Sequence, residues 1–346
     1  MRVLHILYST VYTGAEKVAA QIIRSFAPEA EMAYCSLEDA TVRKIVEDQG
    51  IPFLSFPELT PWHLKPILRA YKPDIIHAHD MRAGFVAALC CGGIPIVSHI
   101  HNNAYDSRGL SLKSIAYLLA GFRAKRILWV SRSAYEGYVF HKLFTKKSQV
   151  LYNIIDTRQI FDMLDRDPAR YHYDMVYLGR LSWEKDPLRV IRVCGLVREN
   201  LPGVRLAIVG SGDLMEEAQA LVRELGLEDN VAFLGFRPNP MKLLADSGCL
   251  VLTSRWEGTP MCALEAMALG TPVVSTPTDG MKDLIRPGEN GYLSASDEAL
   301  ARAIEKILKN PHHRQTLAAQ AKQDFAAFND EANYKATLAA CYGDCL

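Results

Sequence analysis

No apolar run in this sequence reaches the roughly 18–20 residues needed to cross a bilayer, which argues against a membrane-spanning helix. The opening MRVLHILYST carries one Arg and only a short apolar run, so a cleaved secretory leader is not expected either. A surplus of one charge sign is also lacking. The 39 Lys and Arg are matched by 39 Asp and Glu, and a chain without a net field has no general attraction to nucleic acid. The 8 cysteines include no C-x-x-C pair, which removes the common structural zinc spacings. Cys90 and Cys91 lie in the apolar AALCCGG, and buried free thiols in a reducing cytosol are expected. No repeat of solenoid period is visible.

What is present is alternation. Short apolar, β-branched runs at 3–8, 31–36, 51–56, 74–78, 95–100, 126–130 and 148–152 are separated by helical patterns, as in a parallel sheet covered by helices on both faces. Similar runs begin at 174, 204, 230 and 249, after a charged stretch, DMLDRDPARYHYD, that reads as an interdomain linker. A length of 346 residues accommodates two domains with separate cores. DIIHAHD puts His77 and His79, and PIVSHIHNN puts His99 and His101, at C-terminal strand ends, where open α/β sheets take their ligands. A single histidine in such a place is usually structural, whereas two pairs predict a cleft. Within 108–147 nine basic residues face one acid, Glu136, around the amphipathic SLKSIAYLLAGF. That cluster reads either as a solvated helix face or as a surface for anionic lipid or a phosphate-bearing acceptor.

The stretch RWEGTPMCALEAMALGTPVV, 255–274, organises the second half. Thr259 is predicted as an N-cap, Pro260 as the first helical residue and Gly270 as the stop, with TPVV as the next strand. MCALEAMAL is apolar on every face, so the helix should be buried with Glu265 as its one charge. A buried carboxylate needs a partner, which an Arg, a backbone amide or a ligand would supply. The amides of Met261, Cys262 and Ala263 at the helix start form an anion site. Glu257 stands eight residues before Glu265. Gly210-Ser211-Gly212 follows a strand, but Met215 occupies the third glycine position of a dinucleotide fingerprint, which excludes a nicotinamide site.

The Glu257-x7-Glu265 pattern resembles the signature of retaining glycosyltransferases of family 4, and the resemblance extends over nearly the whole chain. Arg180 and Lys185 in DMVYLGRLSWEKDP have that family's R-x4-K spacing. TVYTGAEK matches its first glycine-rich loop in part, with Thr13 where the first glycine is usual and Gly14 retained. The resemblance implies a GT-B fold of two Rossmann-like α/β domains facing across a cleft. These would span 1–165 on the acceptor side and 166–328 on the donor side, with a terminal helix, 329–346, crossing back. It implies transfer of a sugar from a nucleotide diphosphate, UDP by family frequency, to a glycan or lipid-linked acceptor in cell-surface polysaccharide synthesis.

In that scheme Glu257 binds a donor-sugar hydroxyl and stabilises oxocarbenium character, and His101 contacts the sugar from the other domain. Gly14, Arg180, Lys185 and the helix tip Thr259, Pro260, Met261 and Cys262 hold the diphosphate, and Glu265 accepts from the ribose hydroxyls. His77, His79 and His99 are acceptor-side candidates, while Phe236 and Arg237, after NVAFLGF, are nucleobase-side candidates. No cofactor or metal is expected, because fixed cations neutralise the leaving diphosphate. Expected partners are the nucleotide-sugar, the acceptor and a peripheral membrane contact through 108–147, with no nucleic acid. The expected location is the cytoplasm, at the inner membrane face. The competing readings are a GT-B nucleotide-sugar epimerase and a non-catalytic nucleotide-sugar-binding protein.

Overall fold

The computed structural model describes residues 1–101 and 107–346; the Asn102-Asn103 end of PIVSHIHNN lies outside them. The chain divides into two compact units, Met1–Ile154 joined by Glu331–Leu346, and Ile155–Asp330. Each is a parallel sheet with covering helices, as the alternation predicts.

The first unit holds β1 Arg2–Ile6, β2 Glu31–Leu37, β3 Phe53–Phe56, β4 Ile75–His79, β5 Ile96–Ile100, β6 Ala124–Trp129 and β7 Ser148–Val150. Their order is β3-β2-β1-β4-β5-β6-β7. β1, β4 and β5 are buried on both faces, which is why they read as continuous apolar runs rather than alternating ones. The helix Gly14–Phe26 buries Val18, Ile22 and Phe26 at helical spacing. The terminal helix Glu331–Gly343 packs on this unit: Tyr342 meets Phe26 edge-on with centroids 5.5 Å apart, and Lys335 reaches Glu29 at 2.7 Å.

The second unit holds β8 Met175–Leu178, β9 Leu206–Val209, β10 Val231–Gly235, β11 Cys249–Leu252, β12 Val273–Ser275 and β13 Gly291–Leu293. Their order is β10-β9-β8-β11-β12-β13. In both sheets the winding direction reverses once, between β1 and β4 and between β8 and β11. The carboxyl ends of strands at such a reversal form the crevice where ligands bind in open α/β sheets.

Two local expectations are corrected. The charged stretch read as a linker begins inside a helix, Thr157–Asp165, and the units divide at Ile154/Ile155. Asp156 caps that helix by accepting from the Gln159 amide at 3.1 Å, Ile160 is buried, and the Asn239 amide group donates to the Met163 carbonyl at 2.6 Å. Its charges lie on the outer face and masked the amphipathic period. The second correction concerns the buried helix, which spans Met261–Leu269 with Pro260, not Thr259, at the cap position and no side-chain cap bond. The Pro260 carbonyl accepts from the Ala263 amide at 3.1 Å, tightening the first turn, so Ala263 is spent inside the helix and leaves the expected anion cradle. Gly270 ends the helix at φ 80, a left-handed conformation that glycine adopts without a Cβ penalty.

All eight cysteines are free thiols. Among the described residues no helix is long and apolar enough to cross a membrane. The helix Leu112–Arg123 buries Tyr117, Ala120 and Gly121 against the first unit. Its other side is apolar too, with Leu112 89 %, Ile115 51 % and Phe122 64 % exposed at helical spacing.

Candidate active site

At the β8/β11 reversal two loops meet. The loop after β8 runs through Arg180, Trp183, Glu184, Lys185 and Asp186, and the loop after β11 through Ser254, Arg255, Trp256 and Glu257. Backbone and side chains lace them together. The Arg255 amide donates to the Glu184 carbonyl at 2.9 Å, Arg255 Nε to the Trp183 carbonyl at 3.1 Å, and Thr253 Oγ1 to the Asp186 carbonyl at 2.8 Å. The Arg255 guanidinium also pairs with Asp186 at 2.8 Å and lies 4.7 Å over the Trp183 ring. From beneath, the buried Tyr177 hydroxyl donates to the Arg180 carbonyl at 2.9 Å; burial, reinforced by the charge of Glu257, pushes its pKa well up, so it remains a donor.

Glu257 is the focus of this frame. It is only 8 % exposed, and Lys185 Nζ lies 2.6 and 2.7 Å from its two oxygens, while Ser254 Oγ donates to Oε1 at 2.6 Å. A carboxylate taken out of water needs such donors. Arg180 is half exposed and pairs with Glu184 at 2.9 Å. The structure therefore brings Lys185 onto Glu257 across facing loops, while Arg180 pairs with Glu184 on the Lys185 loop. Glu265 lies buried, 3 % exposed, in the helix that follows the Glu257 loop.

Glycines set the backbone spacing. A Cβ on Gly280 would fall 1.3 Å from the Gly258 carbonyl oxygen, so only glycine lets the segment after β12 close on the Glu257 loop. A Cβ on Gly210, at φ 145, would fall 1.9 Å from the Gly179 carbonyl oxygen, which explains the glycine pair that a dinucleotide fingerprint leaves unexplained. Of the nucleobase-side candidates, Phe236 is 44 % exposed just past β10, and the Arg237 guanidinium donates to the Tyr171 hydroxyl at 3.1 Å.

At the first unit's reversal, a pocket is lined by Tyr8, Glu16, His79, Asp80, Arg82 and Lys113 among others. The Glu16 carboxylate accepts from both the Thr13 amide and hydroxyl at 3.1 Å, so the acid of the TGAE loop caps its own helix. A Cβ on Gly14 would meet no protein atom within 4 Å, so no neighbouring part of the chain requires glycine there.

Beside the pocket the parallel register sets His5 against His77 and His79 against His99. Alternation puts His77 with His79, and His99 with His101, on one sheet face. The rings stack, His77 on His79 at 4.4 Å and His99 near His101 at 4.2 Å. Hydrogen bonds join them in two chains. His5 Nδ1 meets His79 Nε2 at 3.0 Å, and His79 Nδ1 meets His101 Nε2 at 2.7 Å. The Tyr342 hydroxyl meets His77 Nδ1 at 2.8 Å, and His77 Nε2 meets His99 Nδ1 at 3.3 Å. Burial drives His5 and His101 down to about 3 and holds His77, His79 and His99 well below their ordinary value, so all are neutral near pH 7. The sequence reading passes over His5, Asp80 and Tyr342. Strand alternation would have flagged His5, but only the pairing register shows that it joins the other four.

The Glycosyltransferase Family 4 description matches residues 13–159, and that of Glycosyl transferases group 1 matches 169–324. EpsD of Bacillus subtilis (strain 168), itself assigned to the glycosyltransferases, is 30 % identical over 289 residues, 77 % of this chain and 76 % of its own. The UDP-Gal:alpha-D-GlcNAc-diphosphoundecaprenol alpha-1,3-galactosyltransferase of Escherichia coli is 26 % identical over 250 residues, 66 % of this chain and 64 % of its own. Matched stretches span 61 to 76 % of the lengths of most of these curated relatives and 23 % of another. A crystal structure of Anabaena HepE in complex with UDP and glucose superposes with a TM-score of 0.87 at 22 % identity, covering 99 % of each chain, which shows the shared fold. The sequence pattern, the two reversed parallel sheets and these matches agree: the chain belongs to the family 4 glycosyltransferases and has the GT-B fold.

Proposed function

We propose that this protein is a retaining hexosyltransferase that moves a sugar from a UDP-sugar to a glycan or lipid-linked glycan of a cell-surface polysaccharide. The reading rests chiefly on one observation, the partly buried Lys185–Glu257 pair at the β8/β11 reversal, 2.6 Å apart. When the C1–O bond to the diphosphate breaks, negative charge grows on the leaving oxygens. Arg180 and Lys185 are the cations that would stabilise it without a metal. Lys185 swings from Glu257 to the diphosphate as donor binds, which frees Glu257 for a sugar hydroxyl and the cationic anomeric carbon. Glu265 accepts from the ribose hydroxyls and Phe236 borders the base. The acceptor oxygen attacks the face the diphosphate leaves, and its proton passes to the leaving phosphate oxygen. The Escherichia coli relative, named for a UDP-sugar donor and a diphosphoundecaprenol-linked acceptor, supports the substrate class. A thermal-shift panel of UDP-, GDP- and ADP-sugars should show stabilisation by UDP-sugars. Proton NMR of the product should show the donor's anomeric configuration. Stabilisation by another base alone, or an inverted anomer, would overturn the corresponding part.

We also propose that the exposed apolar stripe of the helix Leu112–Arg123 seats the protein on an anionic bilayer, bringing it to a lipid-linked acceptor. Leu110, Leu112, Ile115 and Phe122 are all more than half exposed, and the segment 108–147 supplies nine basic residues, the pairing that favours an interfacial helix. Co-sedimentation with phosphatidylglycerol vesicles but not phosphatidylcholine vesicles is expected.

A further inference from the structure

Five of the ten histidines meet at the carboxyl ends of β1, β4 and β5, and the donor-sugar reading uses only His101. Among the described residues three of their buried ring nitrogens have no partner: His5 Nε2, His99 Nε2 and His101 Nδ1. The proton count makes this costly. A neutral imidazole carries one N–H, so in the chain His5–His79–His101 all protons point one way along the two bonds. Whichever way they point, one end leaves a buried N–H without an acceptor and the other a lone pair without a donor. Each such orphan has given up its water without gaining a partner in exchange.

We propose that His79, His99 and His101 form a binding site for one divalent transition-metal cation of the zinc class, clasping the ends of β4 and β5. One nitrogen from each lies within 4.8 Å of the others. Zinc takes imidazole nitrogens at about 2.0–2.1 Å, so a modest inward movement of the rings completes three ligands. The donor set is wholly nitrogen, which suits zinc, cobalt, nickel or copper and not magnesium or calcium. A cation between His79 Nδ1 and His101 Nε2 replaces the proton they share, and His99 Nε2 gains a partner. The bonded nitrogens then take one consistent set of tautomers, with the protons of His5 and His101 on Nε2 and Nδ1. His79 Nε2–H donates to His5 Nδ1, His99 Nδ1–H to His77 Nε2, and His77 Nδ1–H to the Tyr342 hydroxyl, the outer-shell bonding that orients metal-ligating histidines.

Asp80 supports the same place. Its carboxylate accepts from the His101 amide at 3.0 Å, and it holds the left-handed φ of 70, an uncommon conformation for a non-glycine residue. It sits beside His79, the one of the three ligands that lines the pocket at the sheet's reversal. The other triad, His5, His77 and His79, is less suited, because both nitrogens of His77 are already bonded whereas His99 Nε2 has no partner among the described residues. All three ligands belong to the first unit, whereas Arg180 and Lys185 belong to the second.

The test uses the full chain, purified without a polyhistidine tag and stripped with a chelator. Calorimetric titration with Zn2+ should show one site that raises the melting temperature, and Co2+ should give the intense visible absorption of a tetrahedral nitrogen site. His99→Gln and His101→Gln should each lower Zn2+ affinity by at least roughly 100-fold, since losing even an outer partner typically costs about 10–100-fold. His312→Gln, at an exposed position, should leave Zn2+ affinity unchanged. Co2+ spectroscopy of the unaltered chain decides the matter if a variant fails to fold. Octahedral cobalt spectra, no stoichiometric Zn2+ binding, or binding lost in His5→Gln but kept in His101→Gln would overturn the proposal.

Discussion

The two sheets reverse their winding in the same way, yet they equip the resulting crevices with opposite chemistry. At β8/β11 the polar groups are permanent ions: Lys185 on Glu257, Arg180 on Glu184, Arg255 on Asp186. At β1/β4 charged side chains also line the pocket, but beside them stand imidazoles that burial keeps neutral, joined ring to ring. The difference shows that topology selects where a ligand goes and side chains select what it is. In the proposed reaction the Lys185–Glu257 pair exchanges its cation to a diphosphate, and Ser254 still donates to Glu257 when Lys185 leaves. A packed imidazole stack cannot rearrange that way. It can gain or lose only a proton or a cation.

The comparison is most easily broken at Glu257. Glu257→Ala is expected to lower the transfer rate by at least about 10²–10³-fold, the scale of removing a preorganised electrostatic group. UDP affinity should stay the same or rise, because Lys185 is released; initial rates and calorimetry check the two halves. Equal loss of both would make the pair structural. Next in size is Gly280→Ala, which forces a Cβ into the Gly258 carbonyl and should cost about 1–3 kcal/mol by overpacking, read from denaturant unfolding. The loss should appear with reduced nucleotide binding, since the Glu257 loop is what moves.

On the other side of the comparison, Tyr342→Phe removes the hydroxyl at the end of the histidine chain. A loss of about 0.5–1.5 kcal/mol is expected, with UDP binding untouched. If nucleotide affinity fell too, the two crevices would not be independent. The smallest effect on folding is expected from Leu112→Ser, whose side chain is already exposed. Stability should change by less than about 0.5 kcal/mol while binding to anionic vesicles weakens.

The strands were legible because each sits inside a parallel sheet and leaves a run of β-branched residues between turn signals. β1, β4 and β5 are found within a residue or two of their expected ends. The helix Met261–Leu269 was legible from its lack of any polar face and from Gly270. Its start was not, because a Thr-Pro pair fits either of two cap positions and only the Ala263-to-Pro260 bond decides. The helix Thr157–Asp165 was hidden by its own charges: one buried Ile160 and a capping Asp156 suffice once a neighbouring helix supplies the other half of the contact.

Sequence alone determined the kind of protein this is: the periods of its elements, the two domains' worth of alternation, and the spacing of Glu257, Glu265, Arg180 and Lys185 are all local or countable. What only the tertiary structure decided is which of those residues touch. Lys185 lies on Glu257, and His5 joins four histidines from two other strands, because parallel strands distant in sequence are neighbours in the sheet. Pairing register and burial are properties of the packed chain, and they turn isolated ionisable residues into an ion pair in one unit and a neutral stack in the other.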